Sequence, residues 1–327
     1  MPSFSRAHVS NGDGWQLQVT RCVDAGALVR SRRPLLIVPG FGMNSYIFGY
    51  HPRGPSMMGA LAAAGFEVWT VDFRAQGGSR SLGGSRAYRM EEVACVDLPA
   101  TLDHILARTE SEARAVDVLG ASLGGTYIAI YLALQPGAAA RSKIGAVVAI
   151  GAPLRWERAH PALRLMSMSP WLIGKVPTRG LRGLASVALP VIARSFPGAL
   201  SIYLHADHVD LSKHRELVRT VDDTSPPMNR QLAQWVRARD LRLRGVNVTE
   251  AMRQIDAPLL VVVANADGIV PEATALSCFE HWGGSRKRVL RVGDERLRFA
   301  HADLFISDHA QARVFSPIGE WLAQTEV

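Results

Sequence analysis

Residues 115–136 read Ala-Val-Asp-Val-Leu-Gly-Ala-Ser-Leu-Gly-Gly-Thr-Tyr-Ile-Ala-Ile-Tyr-Leu-Ala-Leu-Gln-Pro, and no other stretch of the chain restricts its fold as much. The apolar run Ala115–Leu119 has the make-up of a buried strand, and Gly124–Leu134 reads as an apolar helix closed by Pro136. Between them lies Gly120-x-Ser122-x-Gly124. Small residues on either side let the chain pass from strand to helix in one sharp bend, which lifts the Ser122 hydroxyl clear of the backbone. The helix that follows aims its N–H groups and positive dipole end at the same point. A serine so placed is a candidate nucleophile, with room beside it for a developing oxyanion.

The rest of the chain supplies a setting for that turn. Short apolar runs at Pro34–Pro39, Phe66–Asp72, Ala115–Leu119, Gly145–Gly151, Pro258–Ala264 and Lys287–Val292 alternate with helical patterns. This rhythm predicts a mostly parallel sheet covered on both faces. Helices are expected at Ser56–Ala64, Met90–Arg108, Gly124–Leu134, Glu272–His281 and about Gln311–Gln324, and Trp15–Arg21 with Ala25–Arg30 as an antiparallel hairpin at the sheet edge. From about Leu154 to Asp256 the rhythm fails: the pattern is helical and broken by Pro161, Pro170, Pro177, Pro190, Pro197, Pro226 and Pro227. An insertion that leaves one strand and returns to the next sits over the strand ends, where open α/β sheets bind ligands. The expected organisation is a catalytic core of residues 1–153 and 257–327, with 154–256 as an inserted helical cap.

Composition narrows the partners. The 327 residues are 48% hydrophobic and 20% charged, ample for a large core. A net charge of +8 comes from 37 basic and 29 acidic residues, but no run of five basic residues occurs. The arginines are scattered, which argues for a solvated basic surface and against nucleic-acid binding. Cys22, Cys95 and Cys278 lack metal-like spacing and leave an odd count, as reduced thiols would. No apolar stretch approaches the length of a membrane span, and Met1–Trp15 lacks the apolar core of a secretory signal, so a cytoplasmic location is expected.

A serine nucleophile needs a base, and the base needs a carboxylate to fix its tautomer. Asp267 follows the run Leu259–Val263 and precedes Val270-Pro271, so it stands at the carboxyl end of a strand, facing the crevice. His301 follows the last apolar run and precedes the final helix, where a loop carries its imidazole towards Ser122. Asp303, two residues on, is the alternative acid or a support for that loop. Two backbone donors are expected to form an oxyanion hole: the N–H of Leu123, and the N–H of Phe41 in the loop Pro39-Gly40-Phe41-Gly42-Met43-Asn44. Gly40 and Gly42 turn that loop inward and are expected beside the substrate.

Together these residues resemble the α/β-hydrolase superfamily, in the order Ser122, Asp267, His301 that its topology requires. Asp13-Gly14-Trp15-x-Leu17 is similar to the superfamily's opening hairpin, and Asp72-x-Arg74-x-x-Gly77-Gly78-Ser79 resembles its turn after the next strand. The segment Met90–Leu106 is similar to the helix before the nucleophile strand in acid lipases and in polyhydroxyalkanoate synthase-like hydrolases. The resemblance implies an α/β-hydrolase fold and a serine carboxylic-ester hydrolase, in which Ser122 attacks, His301 moves the proton and Asp267 orients His301. It implies no cofactor and a small-molecule acyl ester as substrate. Acyl transfer or thioester cleavage on the same triad, and a non-catalytic binding protein on this scaffold, are the alternatives. Pro39-Gly40 departs from the His-Gly of many members, and Ser122 from the cysteine of polymer synthases.

Within the expected cap, Trp171, Leu172, Ile173, Leu184, Val187, Leu189, Val191, Ile192, Phe196 and Tyr203 either line an acyl pocket or hold the cap helices together. Arg164, Lys175, Arg179, Arg182 and Arg194 lie among them, the mixture of an ordinary amphipathic cap or of a lid making transient contact with a lipid surface. His205, Asp207, His208, Asp210 and His214 read as a polar helix face, and no metal site is expected.

Overall fold

The computed structural model describes residues 1–135, 137–173 and 180–325. Lys175, Pro177 and Arg179 of the expected cap lie outside the described residues. The principal strands are β1 (Ser3–Ser10), β2 (Trp15–Val23), β3 (Leu35–Val38), β4 (Val68–Asp72), β5 (Val116–Ala121), β6 (Ile144–Ile150), β7 (Leu259–Ala264) and β8 (Lys287–Val292). They form one sheet in the order β1-β2-β4-β3-β5-β6-β7-β8. From β4 across to β8 every pairing is parallel, whereas β2 runs antiparallel to β1 and to β4.

The continuous apolar runs make physical sense here, because parallel strands with helices on both faces have no wet side. Alternate residues of β3 show it: Leu36 and Val38 enter one hydrophobic cluster, Leu35 and Ile37 the other. On the first face pack α2 (Leu98–Arg108), α3 (Leu123–Leu134), α5 (Pro226–Ala238) and α6 (Glu272–His281). On the second pack α1 (Met57–Ala63) and α7 (Ser316–Gln324).

The edge hairpin departs from expectation. Trp15–Val23 pairs with Ser3–Ser10, not with Ala25–Arg30. The latter stretch is held in a turn by Asp24, whose carbonyl accepts from Ala27 N and Leu28 N and whose carboxylate accepts from Gly26 N. β1 is exposed or half-buried along its length, so it carries no hydrophobic alternation to reveal it. The predicted helix over Met90–Arg108 is interrupted by a π-helical turn at Val93–Asp97. Pro99 cannot donate an N–H, and a widened turn accommodates that loss. At the end of this turn the buried Asp97 carboxylate accepts from Arg74 (2.8 and 3.0 Å) and from Asn11 Nδ2 (2.6 Å). Arg74 also donates to Asp13 at 2.7 Å, so one guanidinium ties the β1–β2 turn to the turn after β4.

Between β6 and β7 no described residue joins the main sheet, and among the described residues there the only strands are the two-residue pair Arg242–Leu243 and Val246–Asn247. The segment is not uniform. α5 and the chain after it enter the core through Met228, Trp235, Val248 and Met252. By contrast α4 (Leu181–Ser195) has no buried residue.

Candidate active site

Ser122 sits between β5 and α3 with φ 53° and ψ −125°, a conformation that side chains other than glycine rarely adopt. The glycines around it are dictated by contact. A Cβ on Gly120 would stand 2.3 Å from Gly125 Cα, and one on Gly124 would stand 2.2 Å from the Val38 carbonyl oxygen. The turn therefore folds back on itself and against the end of β3, and the strained serine is held by that packing. Ser122 N donates to the Ile150 carbonyl at 2.8 Å, anchoring the turn to the end of β6.

The imidazole of His301 lies one residue further along the same strand end. A Cβ placed on Gly151 would come within 3.1 Å of His301 Cε1 and 3.2 Å of Asp267 Oδ2. His301 Nδ1 donates to Asp267 Oδ2 at 2.6 Å, with side chains 8% and 1% exposed respectively. Asp267 Oδ1 accepts from Ile269 N and Val270 N, each at 2.8 Å. Both carboxylate oxygens are thus committed, and the ring nitrogen facing away from Asp267 is Nε2. The Tyr203 ring lies 6.2 Å from the imidazole, and its carbonyl accepts from Ala302 N at 2.7 Å. Asp303 is engaged elsewhere: it accepts from Ala300 N at 2.8 Å and from His205 Nδ1 at 2.7 Å. It therefore supports the loop that carries His301, and the carboxylate on that imidazole is Asp267.

The loop after β3 meets the serine turn. A Cβ on Gly40 would lie 3.0 Å from Ser122 Cβ and 3.3 Å from Leu123 N, so any larger residue would push the two apart. Leu123 is buried, the Phe41 side chain is exposed, and Gly42 has φ 63°. This loop is gripped by residues 219–224. The Gly42 carbonyl accepts from Asp222 N at 2.9 Å, Asn44 N donates to Thr220 O at 2.8 Å, and Met43 bridges Val221. The Asp222 carboxylate accepts from Asn44 Nδ2 (2.9 Å), Gly77 N (2.7 Å) and Arg182 of α4 (2.7 Å). Burial raises the Asp222 carboxyl, against the lowering influence of Gly77 N–H, Asn44 and Arg182.

Sequence reasoning missed Asp222 and the parts played by Asn44 and Gly151, whereas Leu189, Ile192 and Tyr203, named among the apolar cap residues, do line an apolar cavity. Asp222 stands in an irregular stretch before Pro226 with no periodicity to mark it, and Gly151 reads as the end of a strand. Trp171 and Phe196 fall elsewhere than expected. They are 56% and 67% exposed, and neither is among the described residues lining the apolar cavity beside His301. That cavity, of about 240 Å³, has α4 as its roof and Tyr203 and Ala302 on its imidazole side. His205, of the expected polar face, bonds Asp303; among the described residues no cluster of three or more His, Cys, Asp or Glu could hold a metal ion.

A sheet of this order, with a serine at the turn after β5 and an Asp-bound histidine after β8, defines an α/β-hydrolase of the serine-hydrolase class. The chain belongs to the family described as serine aminopeptidase, S33, whose model matches residues 31–292. No curated protein sequence matches it. Among solved structures it is similar to a thermophilic esterase from Thermogutta terrifontis, at 14% identity and TM-score 0.62, covering 99% of this chain and 100% of that one. It is also similar to a monoacylglycerol lipase from Paleococcus ferrophilus, at 18% identity and TM-score 0.58, covering 99% of each chain. A bromoperoxidase from Bacillus anthracis aligns at 15% identity and TM-score 0.63, covering 98% of this chain and 99% of that one. At these identities the likenesses carry the fold alone.

Proposed function

We propose that the protein is a serine carboxylic-ester hydrolase that works through an acyl-enzyme. The observation carrying this reading is the Asp267–His301 hydrogen bond lying over Gly151, beside the serine turn. Ser122 Oγ attacks the ester carbonyl carbon and its proton passes to His301 Nε2. The carbonyl electron pair moves to oxygen, stabilised by the N–H groups of Leu123 and Phe41. On collapse the bond to the alcohol breaks and His301 returns the proton to the leaving oxygen. Water then repeats the sequence on the acyl-serine, releasing the acid.

The family's description raises a second reading, amide cleavage at a peptide N-terminus. Such a substrate brings an ammonium group, which needs carboxylates to meet it. The cavity beside His301 is lined by apolar side chains with Tyr203 and Thr220 and, among the described residues, by no charged group, which favours an acyl group. Within the ester reading, residues 154–256 act as a cap, with α4 over the cavity and α5 as its anchor to the sheet. The same segment exposes Leu165, Met168, Leu184, Val187 and Val191, as transient contact with a lipid surface requires. A cytoplasmic location suits the free thiols of Cys22, Cys95 and Cys278.

The test is labelling by a fluorophosphonate together with hydrolysis of simple p-nitrophenyl esters. Label is expected on Ser122, and Ser122→Ala should lower kcat by about four powers of ten or more. An unlabelled protein that cleaves no ester, or a Ser122→Ala variant near wild-type rate, would refute the reading.

A further inference from the structure

The cavity under α4 is built as a measured apolar slot. Its roof is Ala185, Ala188, Leu189 and Ile192, spaced i, i+3, i+4 and i+7 on one helix face. The cavity opens to solvent, and at about 240 Å³ with a hydrocarbon lining it takes an apolar occupant in preference to water. Two alanines in the roof keep the space open where larger side chains on the same helix would close it.

Its walls tie it to the reaction. On one side stand Ala302, next in chain to His301, and Tyr203, whose ring lies against the imidazole. On the other stand Thr220 and Val221, which pair with Asn44 and Met43 of the loop expected to supply an oxyanion donor. A chain lying in the cavity is therefore bounded by the neighbours of both halves of the site.

The geometry points to this cavity as the acyl-chain site, restricting productive binding to medium-length acyl groups, with Ala185 and Ala188 setting the limit. The inference rests on the ester-hydrolase reading. At roughly 30 Å³ for each non-hydrogen atom at liquid density, the cavity holds a chain of about eight carbons. Carbons beyond that length remain in water and contribute nothing further to transition-state binding.

The experiment is kcat/KM for p-nitrophenyl esters from acetate to tetradecanoate, in the wild type, Ala188→Phe and Leu189→Ala. In the wild type each added methylene should raise kcat/KM about two- to fourfold, up to a plateau near about eight carbons. Ala188→Phe fills part of the slot and should move the plateau down by about three carbons, while Leu189→Ala should move it up by about two. Opposite shifts separate cavity size from damage to folding, which would lower every ester alike. A wild-type profile that is flat, or one that neither variant moves, overturns the assignment while leaving ester hydrolysis standing. A protein that cleaves no ester in the series overturns both.

Discussion

Asp267 holds its position through three donors, His301 Nδ1 on one oxygen and the Ile269 and Val270 amides on the other. That division makes Asp267→Asn informative. The two amides require an acceptor, so the asparagine carbonyl takes the Oδ1 place and its NH₂ turns towards His301. The imidazole must then accept at Nδ1 and carry its proton on Nε2, the wrong tautomer for receiving the Ser122 proton. We expect kcat to fall by about three to four powers of ten with the melting temperature near wild type. Loss of less than about tenfold would show that Asp267 does not set the tautomer. Gly151 is the complementary case, since a methyl group there would press on both the imidazole and the carboxylate.

At the scale of elements, the loop after β3 depends on a segment almost two hundred residues away. Asp222 joins the Gly42 carbonyl, the Asn44 side chain, the turn at Gly77 and α4 through Arg182. Removing its carboxylate releases Asn44, Gly77 and Arg182, while the backbone bond from Asp222 N to the Gly42 carbonyl stays, so the loop carrying Phe41 is held less firmly. Asp222→Ala should therefore lower kcat about ten- to a hundredfold, less than the loss of a whole oxyanion donor would, with KM changed far less. Measured kcat and KM for a short-chain ester check this. A rise in KM at constant kcat would place Asp222 in substrate binding instead. Asp97 plays a similar part elsewhere, accepting from both Arg74 and Asn11 and so joining the edge hairpin to the helix before the nucleophile strand.

For the whole molecule, the distribution of exposed apolar side chains is uneven. Leu184, Val187 and Val191 lie along one side of α4, and Leu165, Met168, Trp171 and Phe196 extend the same segment, in a chain of net charge +8. Such a surface should favour anionic bilayers. Co-sedimentation with phosphatidylglycerol vesicles is expected to exceed that with phosphatidylcholine and to weaken at high salt. A folded Leu184→Glu/Val187→Glu variant recovered with vesicles as fully as wild type would exclude α4 as the contact. The sequence by itself determined the parallel strands, the serine turn, and the places of Asp267 and His301 after β7 and β8. Those features are local: apolar runs buried on both faces, glycines packed against a bend, and residues placed at strand ends by connectivity. It missed β1, whose exposed face carries no hydrophobic signal, and of the cap residues it named, Leu189, Ile192 and Tyr203 line the cavity while Trp171 and Phe196 do not. Only the tertiary structure decided that Asp222 clasps the β3 loop, that Tyr203 lies against His301, and that alanines of α4 roof the cavity. Each of these arises where segments distant in the chain meet, and no local period or spacing encodes which side chains face one another there.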